Sequence, residues 1–367
     1  MSMMMASRPQ AQPPGMYIGP DGQVYDNRLR FRDNTRSRFQ KFKSVPFVAG
    51  GQFSEYLPRK GYLCEIWANL VGTITYSAPG ALKTFGPFNL VNRISSKMNI
   101  GSITLFDTPG QGCSLIDLGL EHGGNPAGAG IGGAAPHPDA YAFPLSGAAQ
   151  AFSLWYRLPI SENRYDAFDK GLPNLQAAEV DVTCEGQFGQ ILDPATLVTA
   201  VSANLNLYYY YFDLSDPRYV KQPPLLLVRT ETQNVPIIAA GTECVYTVPR
   251  MGIVYQDYLS VVINGSLSDA VDYFEIKFNK TDSVWKMDRS ALRKLNRDQS
   301  GSELGVGNYM IDLWRALPFL SAGDFRDSVD AQKTTTLEII TFINGNAVLG
   351  ASNYVQHVRR YLQVPQV

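Results

Sequence analysis

The residues whose types could carry chemistry are few, and they lie far apart in the 367-residue sequence. Residues 128–133 read GAGIGG, which matches the Gly-x-Gly-x-x-Gly pattern of phosphate-binding loops. A dinucleotide site also needs a strand before the glycines, a helix after them and an acidic residue about 20 positions further on. Here a stretch rich in glycine precedes the motif, and Pro136 and Pro138 follow it. The sequence therefore predicts a loop without a cofactor.

Histidines and carboxylates offer no convergent catalytic set. His122, His137 and His357 are far apart, which favours surface side chains over a metal site or a catalytic triad. Glu179 and Asp181 share a predicted strand face, as the acid pair of a glycosidase could. A solvated acidic face of an alternating strand explains this pair without catalysis. We therefore expect no enzymatic activity and no metal site.

The four cysteines, Cys64, Cys113, Cys184 and Cys244, include no Cys-x-x-Cys pair, which argues against a zinc site or a disulfide framework. Cys64 and Cys184 fall on apolar faces of predicted strands. We therefore predict buried thiols, which suit assembly in a reducing cytoplasm.

The composition suits a protein that buries much of its surface on assembly. Hydrophobic residues make up 45% of the chain and charged residues 18%, and the net charge is −1. Charge is depleted at the centres of subunit interfaces, so this balance favours an obligate assembly, although an ordinary protein with large sheets has a similar composition. A near-neutral chain has no general attraction for nucleic acid. No apolar run is long enough to predict a transmembrane helix, and the N-terminus has no signal-peptide pattern.

Alternation of apolar and polar residues predicts that most of the chain forms antiparallel strands. Residues 64–74 and 200–211 alternate with a period of two, which requires a half-buried sheet. The clearest helical stripe covers residues 283–298, and residues 161–170 fit a short helical connection. Residues 107–147 are rich in glycine, alanine and proline and predict a long surface loop between two strands.

An internal repeat fixes the predicted domain organisation. A shift of 159 residues aligns several identical residues, among them Trp155 with Trp314, Pro159 with Pro318, and Gly186 with Gly345, and we expect each pair to occupy matching strand positions. Both copies run from an aromatic strand through a Leu-Pro exit to an alternating strand and a glycine turn. We expect both tryptophans to anchor a core. The fold class is therefore predicted as all-β, with two tandem eight-stranded sandwiches, a flexible N-terminal arm and few short helices.

The predicted boundaries divide the chain into three parts: an N-terminal flexible arm (1–43), a first sandwich (44–213), and a second sandwich (214–367) that opens with a connecting segment (214–234). Within the arm, residues 28–43 hold seven basic residues and one acid, interleaved with leucine and phenylalanine. The candidate contact residues are Arg28, Arg30, Arg32, Arg36, Arg38, Lys41 and Lys43. They could form a solvated or subunit-contact tail, a nucleic-acid contact, or a contact with anionic lipid headgroups.

Residues 85–94, FGPFNLVNRI, resemble a segment of the major coat proteins of tectivirus-type phages, which are tailless and carry a membrane beneath the protein shell. Residues 154–160, 208–212 and 282–285 resemble three further stretches of that family in the same order. The similarity is scattered over residues 60–365, and the first segment is its most specific part. The glycine-rich loop described above departs from the family pattern.

The resemblance implies that the two predicted sandwiches are two tandem eight-stranded jelly rolls, a double jelly roll. It also implies that the chain is a major capsid protein with no cofactor. It implies trimers with a pseudo-hexameric outline that tile an icosahedral shell, with assembly in the host cytoplasm and a final location in the virion. The implied partners are two further copies of the chain, neighbouring capsomers and other virion proteins, and lipid headgroups of an internal membrane, without sequence-specific nucleic acid. The alternative from another class is a carbohydrate-binding or carbohydrate-cleaving β-sandwich, such as a viral spike or lectin-like protein, with residues 208–211 as its only candidate surface.

Overall fold

The computed structural model describes most of the chain, and every structural statement below refers to those residues. They are 16–18, 24–26, 35–77, 81–82, 88–99, 102–120, 149–160, 173–178, 180–190, 192–193, 198–214, 227–300, 304–313, 329–331 and 335–363. Several sequence expectations lie outside this set: the Gly-x-Gly-x-x-Gly motif, the helical connection at 161–170, and those for His122, His137, Glu179, Trp314 and Pro318.

Strands make up most of the described residues. In chain order, the first twelve are β1 (Met16–Ile18), β2 (Val24–Asp26), β3 (Thr35–Pro46), β4 (Gln52–Tyr56), β5 (Tyr62–Tyr76), β6 (Ala81–Leu82), β7 (Val91–Met98), β8 (Ile103–Thr108), β9 (Gln150–Pro159), β10 (Val182–Phe188), β11 (Leu192–Asp193) and β12 (Val198–Leu214).

The remaining strands are β13 (Leu227–Pro236), β14 (Glu243–Thr247), β15 (Ile253–Ile263), β16 (Ser266–Leu267), β17 (Val271–Phe278), β18 (Asp282–Asp288), β19 (Asn308–Asp312), β20 (Val329–Asp330), β21 (Leu337–Ile343) and β22 (Tyr354–Gln363). The described helices are α1 (Gly110–Leu120), α2 (Arg289–Ser300) and a single 3-10 turn (Phe88–Leu90).

Strands β3 to β12 form the first jelly roll. One sheet has the order β3-β12-β5-β9, and the facing strands have the order β8-β7-β10-β4. Apart from the short pair β6 and β11, the chain changes sheet after every strand except at the β7–β8 hairpin. The alternation predicted for 64–74 and 200–211 is confirmed, because Ile66, Leu70 and Leu205 are buried inside the roll. All four cysteines are also buried, as predicted, and they form no disulfide with one another.

Strands β13 to β22 repeat the same plan, which confirms the second jelly roll. One layer is β13-β22-β15, with β19 pairing β15, and the facing sheet has the order β14-β21-β17-β18. The chain again changes layer after each principal strand except at one hairpin, β17–β18. Each roll therefore contributes eight principal strands in the same order. The core of the second roll includes Leu259, Phe274 and Ile339.

The two rolls join edge to edge in one ten-stranded sheet. Strand β8 of the first roll pairs in parallel with β13 of the second, where Thr230 lies opposite Phe106. Arg229 Nε donates to the carbonyl of Thr104 at 2.6 Å, and the hydroxyls of Thr232 and Thr108 lie 2.9 Å apart. This pairing makes the two rolls one continuous structure.

Two secondary-structure predictions are wrong. Residues 282–288 form β18 in place of the first half of the predicted helix 283–298, and the helix begins at Arg289. The predicted loop 107–147 contains helix α1, whose Cys113, Leu115 and Ile116 are buried. Glycines lower the helix propensity of this segment, but burial of its apolar face against the first roll stabilises the helix.

The repeat identifies the correct pairs of strands with an imprecise register. The 159-residue shift maps β9 to β19, β10 to β21 and β12 to β22, which occupy equivalent places in the two rolls. Gly186, however, lies within β10, whereas Gly345 lies in the turn after β21. The expectation that this pair occupies matching strand positions is therefore wrong.

The prediction that Trp155 anchors a core is also wrong. Its neighbours Leu154 and Tyr156 point into the first roll, and their exposed fractions are 1% and 0%. Because alternate residues of a strand face opposite sides, Trp155 lies on the outer face and is 42% exposed.

Truncation of two adjacent side chains on β9 should therefore have very different effects on the free energy of unfolding. We expect Leu154→Ala to lower the free energy of unfolding by about 2–5 kcal/mol because it leaves a core cavity. Trp155→Ala should lower it by only about 1 kcal/mol, through loss of its ring contacts. Urea unfolding of both variants measures the difference. An equal or larger loss for Trp155→Ala would contradict its placement on the outer face.

Candidate assembly surface

The predicted contact arm divides between an edge strand and residues outside the described part of the chain. Outside it are Arg28, Arg30 and Arg32. The other four candidates lie on β3: Arg36, Arg38, Lys41 and Lys43. The predicted arm is therefore wrong for residues 35–43, which pair with β12 as the edge strand of a sheet. Edge strands carry many charges because charges discourage unwanted pairing, so this strand resembles a tail in sequence.

The four basic residues of β3 do not form one basic patch. Arg38 lies opposite Tyr211, whose side chain is buried, whereas Lys41 lies opposite Tyr208 on the outer face. The partners are separate as well: Asp213 lies 3.9 Å from Arg38 Nε. Lys41 Nζ donates to the Asn206 amide oxygen at 2.7 Å. These contacts are exposed, so each contributes little to stability.

A row of aromatic rings crosses the outer face of the same sheet, and we call it the aromatic band. Its members come one from each strand: Phe39 on β3, Tyr208 on β12, Trp67 on β5 and Trp155 on β9. The rings of Phe39 and Tyr208 stack at 5.2 Å, and Trp155 lies 5.7 Å from Tyr208 and 6.0 Å from Trp67. The band thus spans the full width of the sheet.

The rings of the aromatic band are exposed, although soluble proteins usually bury large aromatic side chains. Phe39 is 52% exposed and Trp155 42% exposed, while Trp67 and Tyr208 are half-buried. Contiguous exposed apolar patches mark interaction sites, and tryptophan and tyrosine are enriched at the energetic centres of interfaces. The structure therefore points to this sheet face as a contact surface.

A buried charged cluster supports the band from one end. Arg157 donates to the Glu65 carboxylate at 2.6 Å and to Asp117 of helix α1 at 3.0 Å. The indole N–H of Trp67 donates to the other Glu65 oxygen at 2.8 Å, and the guanidinium lies 5.2 Å from the Trp67 ring. These bonds fix the orientation of Trp67, so the surface is preorganised.

Burial and charge oppose each other at Arg157. Loss of solvent by burial lowers the pKa of Arg157, but the charges of Glu65 and Asp117 more than compensate and raise that pKa above its ordinary value. The guanidinium therefore stays charged, and its side chain is only 11% exposed while that of Glu65 is 2% exposed.

The remaining chemical candidates have structural roles. His357, expected at the surface, is buried in the core of the second roll with its Nδ1 2.7 Å from Asp257. Its position on β22, the central strand of its layer, explains the burial. Asp181 forms an ion pair with Arg59. Across the described ranges, no group of three or more His, Cys, Asp or Glu side chains could hold a metal ion. None of the helices found there is both long and apolar enough to span a membrane.

Comparisons with known proteins agree with this architecture. No protein-family model matches the sequence, and no curated protein matches it either. Among solved structures, the major capsid protein of Sulfolobus Turreted Icosahedral Virus is similar, with 14% identity, coverage of 90% of this chain and 97% of that chain, and a TM-score of 0.66. The PBCV-1 virus capsid protein has 11% identity, coverage of 90% and 94%, and a TM-score of 0.63.

The major capsid protein P2 of bacteriophage PM2 is also similar, with 14% identity, coverage of 90% and 98%, and a TM-score of 0.52. These matches define the chain as a double jelly-roll protein. The resemblance noted in the sequence is confirmed at the level of the fold. The structural similarity is not restricted to phage proteins, because only one of these three proteins is named as a bacteriophage protein.

Removing the cation of the buried charged cluster should destabilise the first roll. We expect Arg157→Ala to lower the free energy of unfolding by about 3–5 kcal/mol, because it leaves the buried Glu65 without its cation. Arg93→Ala, which breaks an exposed pair with Asp107, should lower it by about 0–1 kcal/mol. Denaturant unfolding monitored by tryptophan fluorescence checks both.

The uncharged pair Glu65→Gln with Arg157→Met should recover much of that loss, because neither partner then leaves a buried charge unpaired. Similar losses in Arg157→Ala, the double variant and Arg93→Ala would contradict a buried charged cluster.

Proposed function

We propose that this chain is a major capsid protein that builds the icosahedral shell of a virus. The observation that carries the proposal is the double jelly roll itself: the same eight-strand plan occurs twice in one chain, joined by a shared sheet. The solved structures described above that share this plan are viral capsid proteins. Each of them matches 90% of this chain. A location in the virion, after assembly in the host cytoplasm, belongs to the same proposal.

The assembly unit that this architecture favours is a homotrimer. Three copies supply six rolls of similar outline, so their ring is pseudo-hexameric and can tile a shell beside neighbouring capsomers and other virion proteins. Closed rings need each copy to carry two complementary surfaces. The exposed aromatic band offers one such surface.

The band also supports a second candidate function, carbohydrate binding, because exposed aromatic rings can stack on sugar faces. The polar groups beside the band are already engaged, since Glu65 and Arg157 bond each other and Ser153 donates to Asn69 at 3.1 Å. A sugar would therefore have few free hydrogen-bond partners there, which favours a protein contact.

We also propose that the residues preceding β3 contact lipid headgroups or a neighbouring subunit inside the shell. The support is the basic cluster Arg28, Arg30 and Arg32 directly before a strand that already carries four cations. Each basic residue near an anionic surface contributes about 1 kcal/mol of attraction, which salt weakens.

Solution mass separates the two candidate functions. The purified chain should sediment as a trimer and yield shell-like particles or hexagonal outlines in negative-stain images. A monomer that is retained on glycan arrays would support carbohydrate binding and contradict the capsid proposal.

Liposome flotation tests the lipid contact. A variant lacking residues 1–34 keeps β3 intact, so it should fold and form trimers but float less with anionic vesicles at low salt. A full-length variant with Arg28, Arg30 and Arg32 changed to Gln is the matched control for charge, and it should behave like the truncation. If all three proteins float equally at every salt concentration, lipid is not the partner and a neighbouring subunit is.

A further inference from the structure

Two loops at one end of the second roll expose apolar side chains to solvent. Residues 237–242 join β13 to β14, and residues 344–353 join β21 to β22. Ile238 in the first loop is 90% exposed, and Val348 in the second is 82% exposed. Among the residues that the structure describes, no other large apolar side chain is as exposed. We call these two loops the apolar tip.

The two loops of the apolar tip are held together by their own backbone hydrogen bonds. The N–H of Gly241 donates to the carbonyl of Ile343 at 3.0 Å, and the N–H of Ile343 donates to the carbonyl of Thr242 at 3.0 Å. On the other side of the tip, the N–H of Ile237 donates to the carbonyl of Asn353 at 3.0 Å. The loops therefore form one closed unit whose apolar side chains project from it.

The composition and the hydrogen bonds of the apolar tip suit a segment that enters lipid. Neither loop contains a charged residue, and a charge is costly within a bilayer. Backbone N–H and C=O groups find no water in hydrocarbon, so they must be paired within the protein. A specific protein partner, by contrast, buries about 800 Å² on each side of an interface, which is more than two side chains at a tip supply. These properties favour a lipid surface as the partner.

The first roll carries a copy of the first loop at the equivalent place. Residues 46–51, PFVAGG, follow β3 in the same way that residues 236–241, PIIAAG, follow β13. In each copy the first residue after the proline packs on the core of its roll. The second residue, Val48 or Ile238, is exposed, and the exposed fraction of Val48 is 61%. The chain therefore presents an apolar loop twice, once on each roll.

Both apolar loops lie at the same end of the shared ten-stranded sheet. Within that sheet β4 is antiparallel to β10, β10 to β7, and β7 to β8, whereas β8 is parallel to β13. Strand β4 therefore runs opposite to β13, so the start of β4 and the end of β13 share one end. The start of β3 lies at the other end, because this strand of 12 residues spans about 40 Å and finishes at the first loop.

We propose that the apolar tip, together with Val48 of the first roll, inserts shallowly into a lipid bilayer. The direction of this contact rests on the proposed capsid function. In a shell whose interior holds the residues before β3, the tips face outward, so the bilayer is one that the particle meets and not one that it encloses. A trimer brings three copies of each tip to the same side, and several weak insertions act together. The contact is apolar, so it needs no anionic headgroup.

Flotation of the full-length chain with phosphatidylcholine vesicles tests the apolar contact, because these vesicles carry no net charge that basic residues could bind. The wild-type chain should float at low and at high salt. Ile238→Ser with Val348→Ser should reduce the floated fraction about tenfold, because two apolar side chains no longer enter lipid. Tyr56→Ser with Val245→Ser is the matched control, since it removes two exposed apolar side chains from strands β4 and β14 and should float like the wild type.

A fluorescent label reports whether the tip itself enters the bilayer. The four native thiols are buried, so Ile238→Cys supplies an accessible site for a dye whose emission rises in an apolar environment. The emission should rise when vesicles are added, and brominated lipids should quench it. The same dye on Tyr56→Cys should show neither effect.

Two results would overturn the lipid assignment. One is a tip variant that floats as well as the wild type, and the other is a wild-type chain that floats only with anionic vesicles at low salt. If the vesicle assays fail while Ile238→Ser with Val348→Ser lowers the yield of particles, the partner of the tip is another copy of the chain. None of these results contradicts the capsid function, which fails only if the chain forms neither trimers nor particles.

Discussion

The pairing of β8 with β13 is the contact on which the rest of the chain depends. A sheet edge leaves backbone N–H and C=O groups unpaired, and a half-apolar sheet face must be covered by something other than water. The junction between the rolls meets both requirements at once, because the edge of one roll continues the sheet of the other while α1 covers its face. The cores of the rolls therefore merge across the junction, where Val358 packs in the cluster of the first roll.

Strand identity could be predicted from the sequence where one face is buried and the other is polar. Residues 64–74 and 200–211 alternate cleanly, and their burial follows the alternation. The prediction failed where both faces carry large side chains. On β9, the large aromatic Trp155 was expected to anchor the core, but Leu154 and Tyr156 on either side of it occupy the inner face. Its contact partners, Trp67 and Tyr208, come from distant strands, and local sequence does not reveal them.

The same limit applies to the candidate surface. The basic residues before and on β3 are visible as a cluster in the sequence, but the strand alternation sends Arg38 and Lys41 to opposite faces. The aromatic band depends on the register of four strands drawn from residues 35–214. The sequence did not predict helix α1 for a related reason, since its stability comes from tertiary packing of its apolar face and not from the propensity of its glycine-rich sequence.

Burial of the four thiols protects them from chemical reaction while the subunit is folded. Burial raises the pKa of Cys184 to about 12 and that of Cys244 to about 11, and it also raises the pKa of Cys113. The reactive thiolate is therefore scarce at neutral pH, and reagents cannot reach the sulfur atoms. A subunit released into an oxidising medium would keep its cysteines reduced for as long as both rolls stay closed. The rate at which these thiols are chemically labelled therefore reports how often each roll opens. Cys184 reports on the first roll and Cys244 on the second.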